Sequence, residues 1–136
     1  MPHLLQWGDA TRVENTATSG MPDISYAIAG IQGWIELKVI RQGKLSFEKF
    51  QLPWMRKRLR HAMGNLWLFA TDGDALYVYS AAQLLAAKRY PHGDMVQLFV
   101  EDLAPPLIFS PAQPWQWGSV LTLLTRHTLR YTPVKF

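Results

Sequence analysis

Asp23 follows Pro22 at the start of one strand-like segment, and Glu36 and Lys38 lie two apart in the next. Side chains two apart on a strand leave the same face, so Glu36 and Lys38 project together. A short turn between the segments returns Asp23 to within about a residue or two of Glu36. Two carboxylates held this close repel each other unless a cation lies between them. A hard divalent ion such as Mg²⁺ accepts one or two carboxylates and completes its shell with water and phosphate oxygens. A lysine beside such a centre holds the scissile phosphate or an attacking hydroxide. Lewis acid, acidified water and cationic clamp together are the equipment of metal-assisted phosphodiester hydrolysis. Singly, these residues have plainer readings: Asp23 as a turn residue, Glu36 and Lys38 as a solvated strand face. Trp34 and Ile40 share that face, however, so it is partly covered, and a covered Glu36 needs a partner.

The elements that must position these residues are legible as patterns. Ile24, Tyr26 and Ile28 alternate on one face of a strand over 23–28. Gly30 and Gly33 bracket a turn, and Trp34–Ile40 forms the second strand of an antiparallel hairpin. From Ser46 to Met63 the spacing of Leu52, Met55, Leu59, Ala62 and Met63 predicts a helix, closed by Gly64. Pro53 requires that helix to start near residue 50 or to kink. Leu66–Ala70 is apolar throughout, as a central buried strand is, and Asp72-Gly73-Asp74 turns the chain into a strand over Leu76–Tyr79. Ser80 and Gln83 make a capping box opening a helix through about Arg89. Met95–Val100 reads as a strand and Ser119–His127 as a last helix, while Leu4–Glu14 forms a short helix or an irregular arm. The order α–β–β–α–β–β–α–β–α predicts an α/β fold with a mixed sheet.

With 136 residues, 49% hydrophobic and 18% charged, the chain suits one folded domain and excludes a disordered or fibrous class. Pro105, Pro106, Pro111 and Pro114 form a rigid connector that sets off a C-terminal appendage from about residue 104 within this single 1–136 domain. The absence of cysteine excludes a disulfide framework, a thiolate metal site and a cysteine nucleophile. His3, His61, His92 and His127 lack ligand spacing, which argues against zinc. There is no phosphate-binding G-x-x-x-x-G-K-[ST] loop and no G-x-S-x-G elbow. No apolar stretch reaches membrane-spanning length and no secretory leader is visible, so a cytoplasmic protein is expected. The net charge of +4 suits a polyanionic partner. Arg56, Lys57, Arg58 and Arg60 carry four cations opposite the apolar stripe of the predicted helix, a candidate surface for phosphate contacts or simply a solvated face. Trp115 and Trp117, two apart in the Pro-rich segment, point to one side if extended, where they stack on exposed bases or pack within the fold or across a dimer.

Pro22-Asp23 followed by Glu36-Leu37-Lys38 on an apolar strand resembles the signature of the PD-(D/E)XK nuclease superfamily. With the lead Ser19-Gly20-Met21, Glu14 upstream, and Gln51 with Trp54 three residues on, the fuller pattern over residues 12–70 is similar to the virus-type replication-repair (VRR-NUC) nucleases and to archaeal and phage Holliday-junction resolvases. The resemblance implies a restriction-endonuclease-like fold, a mixed β-sheet flanked by helices. It implies Asp23, Glu36, the Leu37 carbonyl and Glu14 as ligands of Mg²⁺ or Mn²⁺, Lys38 as the catalytic cation, and Gln51 as a group orienting Lys38 or the attacking water. It further implies an endodeoxyribonuclease that cuts branched DNA by structure, in recombination or repair, in a bacterial or phage-infected cell. A symmetric junction needs two related cuts, which suits a homodimer. Two rivals stand beside this expectation: a nuclease of linear duplex DNA, and a catalytically silent DNA-binding domain of the same fold.

Overall fold

The computed structural model describes residues 9–12, 20–61 and 65–126 of the chain. Its first elements are strands β1 (Asp9–Arg12), β2 (Ile24–Ile28) and β3 (Ile31–Val39). Next come β4 (Lys44–Glu48), helix α1 (Gln51–His61), β5 (Leu66–Thr71), β6 (Leu76–Ser80) and helix α2 (Ala81–Ala86). Strands β7 (Tyr90–His92) and β8 (Met95–Phe99), a 3₁₀ turn at Val100–Asp102, β9 (Ile108–Ser110) and helix α3 (Trp117–Leu124) follow.

The main sheet has six strands in the order β1-β2-β3-β5-β6-β9. Strands β3 and β5 pair in parallel and the other neighbours antiparallel, so the sheet is mixed, as the α/β reading requires. The β2–β3 hairpin turns at Ala29-Gly30, so Gly33 lies inside β3 and not at the turn. There it faces Tyr26, and a Cβ at Gly33 would overlap the Tyr26 ring. The Tyr26 hydroxyl accepts from Trp67 Nε1 at 2.9 Å and donates to the Leu124 carbonyl at 3.0 Å, tying the hairpin to β5 and to α3.

Each face of the main sheet covers its own core. On one side Ile24, Ile28, Ile35, Phe69 and Val78 pack against Val120, Leu123 and Leu124 of α3. On the other, Leu66, Leu68, Ala70 and Tyr79 pack under α1 (Leu52, Met55, Leu59), α2 (Leu84, Leu85) and Leu45, Phe47 and Leu98 of a three-stranded sheet, β4-β8-β7. Burial of the Leu66–Ala70 run on both faces explains its unbroken apolarity.

Several sequence expectations change. Residues 9–12 add an edge strand to the sheet instead of a helix or arm. The run expected to be helical from Ser46 divides: Lys44–Glu48 is a strand, and helix begins only at Gln51, which leaves Pro53 in the tolerant first turn. The capping box forms, with Gln83 N donating to Ser80 Oγ and Ser80 N to Gln83 Oε1, but α2 stops at Ala86. The stretch from residue 104, expected as an appendage, adds β9 to the main sheet and α3 to its core. The expected helix closure at Gly64, and Glu14, His3 and His127, lie outside the described residues.

Candidate active site

Asp23 and Glu36 face each other where β2 begins. Ile24 pairs with Ile35, so one residue further on the hairpin has already opened, and among the described residues no strand pairs with the 36–39 stretch of β3 on that side. Two hydrogen bonds close the gap: Asp23 N donates to Glu36 Oε1 at 3.2 Å, and Leu37 N donates to Asp23 Oδ2 at 2.9 Å. In an extended strand the N–H and C=O of one residue leave on the same side. The Leu37 carbonyl therefore points to the same edge as the Asp23 carboxylate.

Gln51, the first residue of α1, joins this pair to Lys38. Its Nε2 donates to Glu36 Oε2, while its Oε1 accepts from Lys38 Nζ at 2.8 Å and from Glu48 N at 2.7 Å. Lys38 Nζ also lies 3.9 Å from Glu36 Oε2 and 4.9 Å from the centre of the Phe47 ring. The ammonium is thus fixed by an amide, a carboxyl group and an aromatic face, with its side chain only 17% exposed. Phe47 has no part in the motif read from the sequence. Its alternation with Leu45 is a strand signal, hidden there by the helical spacing of the residues that follow.

Gly20 sets the approach of the whole segment. Its φ of +87° is a conformation that residues with a Cβ rarely adopt, and a Cβ there would overlap the carbonyl of Phe50. Absence of a side chain lets the segment leading to Asp23 lie against the chain leading to Gln51.

Glu36 is 1% exposed. Burial, then a hydrogen bond to the Asp23 carboxyl and its charge, push the Glu36 pKa up to about 8, with Lys38 opposing the rise. Without a cation the pair therefore holds a proton at neutral pH, the physical expression of two carboxylates sharing one site. The donor types suit a hard divalent cation: two carboxylates and a backbone carbonyl, all oxygen, with water and phosphate as the kind of ligand that completes such a shell. Among the described residues no cluster of three or more His, Cys, Asp or Glu gathers. Asp23, Glu36, Lys38 and Gln51 come together in one site; Glu14 lies outside the described residues.

The basic helix starts in this site. Along α1, Arg56 to Arg60 lie about 7–14 Å beyond Gln51. Lys57, Arg58 and Arg60 are exposed and Arg56 is half-buried. The Arg58 guanidinium stands 5.6 Å from the Trp34 ring and 6.0 Å from that of Trp54, over an edge-on pair whose centroids are 5.5 Å apart. Arg89, which no sequence signal marks, lies near enough to Arg56 for that charge, after burial, to lower its pKa. Trp115 and Trp117 pack against the core beneath α3, their rings 5.9 Å apart, and Trp115 Nε1 donates to the Asp74 carbonyl at 2.8 Å.

No family model matches the chain, and no curated protein matches it in sequence. Among solved structures it is similar to Hjc of Archaeoglobus fulgidus, a Holliday junction resolvase from an archaeal hyperthermophile. The TM-score is 0.50 at 14% identity, over 76% of this chain and 83% of that one. The likeness is one of fold: a mixed sheet flanked by helices. No helix among the described residues is long and apolar enough to cross a membrane.

Proposed function

We propose that this chain is a Mg²⁺- or Mn²⁺-dependent endodeoxyribonuclease that selects branched DNA by its structure. The observation that carries the reading is the buried Glu36 carboxyl, shared with Asp23 and linked through Gln51 to Lys38. A strand face with no chemical task has no need of a buried acid held against a second acid, because burial of that kind opposes folding at neutral pH. The similarity of fold to a Holliday junction resolvase supports the same reading and suggests the substrate class.

In this scheme Asp23, Glu36 and the Leu37 carbonyl hold the divalent cation, with Glu14 as a further acid. When bound, that cation supplies Lewis acidity toward the scissile phosphate and makes water more acidic. Lys38 sits beside the carboxylates to neutralise charge that builds on the phosphate in the transition state. Gln51 keeps the ammonium in place, since its Oε1 is bonded to Lys38 Nζ and its Nε2 to Glu36. The α1 cations fix the duplex through its phosphates and carry no base information. Two copies acting together would place two cuts symmetrically across a junction.

A panel of end-labelled junction, flap, linear duplex and single-stranded DNA, each with and without Mg²⁺, tests the proposal. It predicts Mg²⁺-dependent cleavage that favours the branched substrates. Equal cleavage of linear duplex would favour a degradative nuclease, and binding without cleavage a silent domain.

A further inference from the structure

On the opposite face of β3 from Glu36 lies an apolar cavity of about 340 Å³. Its walls include Ile24, Leu37, Val39, Leu76, Trp115 and Trp117. A hollow of this size lined by aromatic and aliphatic side chains has the dimensions and chemistry of a small-ligand pocket. Val39 is 49% exposed and Leu37 39%, so the cavity opens to solvent along the 37–39 stretch of β3.

Two features tie it to the candidate active site. Ile24 follows Asp23 directly, and Leu37, whose carbonyl points to the Asp23 edge, contributes its side chain to the cavity wall. A phosphodiester held at that edge therefore has the cavity as its immediate neighbour on this side of the sheet. Bases in an intact duplex are stacked and paired and have no access to such a hollow; an unpaired base beside the cut does. Base stacking on an indole is indifferent to sequence, because every base has a π-face.

We propose that this cavity takes the unpaired nucleobase flanking the scissile phosphate, stacked on the Trp115–Trp117 wall. The inference rests on the phosphodiesterase reading and adds to it a physical means of selecting DNA with splayed nucleotides. Trp117 is a binding residue in this scheme, not a catalytic one.

The test compares octathymidylate with an octamer of abasic tetrahydrofuran phosphates, which carries the same backbone charge, by fluorescence anisotropy with Ca²⁺ replacing Mg²⁺. The full chain is expected to bind octathymidylate about tenfold more tightly than the abasic octamer. Trp117→Ala is expected to remove that preference and Trp117→Phe to keep most of it, with affinity for the abasic octamer unchanged in both. Should Trp117→Ala fail to fold, Val39→Gln on the exposed wall is expected to weaken the preference in the same way. Equal binding of the two octamers by the wild-type chain would overturn the proposal. So would a Val39→Gln chain that keeps the preference but passes from dimer to monomer in sedimentation, since the cavity would then be a contact between copies. Mg²⁺-dependent cleavage of a labelled junction is scored in parallel. Cleavage without a base preference refutes the pocket alone, whereas failure to cleave any DNA refutes the phosphodiesterase reading.

Discussion

Replacing Glu36 with Gln should change how the stability of the metal-free protein depends on pH. In the folded chain the Glu36 pKa is raised from 4.5 to about 8, first by burial and then by Asp23. The folded state therefore keeps a proton that the unfolded chain releases once the pH passes about 4.5. Stability from this group is fully present below that pH and is lost as the pH rises toward 8, at about 1.4 kcal/mol per pH unit. Between pH 6 and 8 the loss is about 2 kcal/mol. For a chain of this length that lowers Tm by roughly 6–8 °C. Gln has the same shape and does not titrate, so in Glu36→Gln this fall should be absent. Thermal melts of both proteins in EDTA across pH 6–8 measure the difference, in which the other ionisable groups largely cancel. Mg²⁺ competes with the same proton, so its affinity for the wild-type chain should rise with pH up to about 8, with proton release on binding. Parallel Tm–pH curves for the two proteins would refute the reasoning, because Glu36 would then not be held protonated by its surroundings.

Three further outcomes follow from the same geometry. Lys38→Met should lower single-turnover cleavage by about 10²–10³ while leaving DNA affinity and calorimetric Mg²⁺ binding intact; near-normal turnover would remove Lys38 from the site. Replacing Lys57, Arg58 and Arg60 with Ala should weaken binding to all DNAs alike and flatten the log–log salt dependence by roughly one unit for every phosphate no longer neutralised. An unchanged slope would mean that α1 faces bulk solvent. Gly20→Ala forces a left-handed backbone and an overlap with the Phe50 carbonyl, so urea denaturation should show a loss of about 2 kcal/mol or more, with wild-type stability as the contrary result.

What the sequence made legible was local. The alternation of Ile24, Tyr26 and Ile28 and the closeness of the next apolar run define a hairpin, and the hairpin alone brings Asp23 to Glu36. The Ser80–Gln83 box is likewise encoded within four residues. Strand β4 was not legible, because Leu45 and Phe47 run into the helical spacing of Leu52 and Met55, and the partner that makes it a strand, β8, comes some fifty residues later. With β4 hidden, so was the place of Phe47 under Lys38. Strands β7 and β9 have three residues each, too few for any period to declare itself, and only their neighbours fix them. The packing of Gly20 on Phe50, and of Arg89 near Arg56, joins residues about thirty apart, and no local pattern records either. The opposite face of β3 carries a similar lesson: Leu37 and Val39 share a strand face with the buried Ile35, yet they line an open cavity, which no local pattern distinguishes from the core.

The most direct measurement is single-turnover cleavage of a labelled four-way junction in saturating Mg²⁺ by the wild-type chain, Asp23→Asn and Glu36→Gln, with junction binding measured alongside. The wild-type chain should cut, and both variants should lose cleavage while still binding the junction, since in this account the carboxylates serve the cation and the α1 cations serve the DNA phosphates. A variant that retains more than about a tenth of the wild-type rate would contradict the assignment of the two carboxylates, given that one misplaced or missing metal ligand costs a catalytic site of this kind several kcal/mol of transition-state stabilisation.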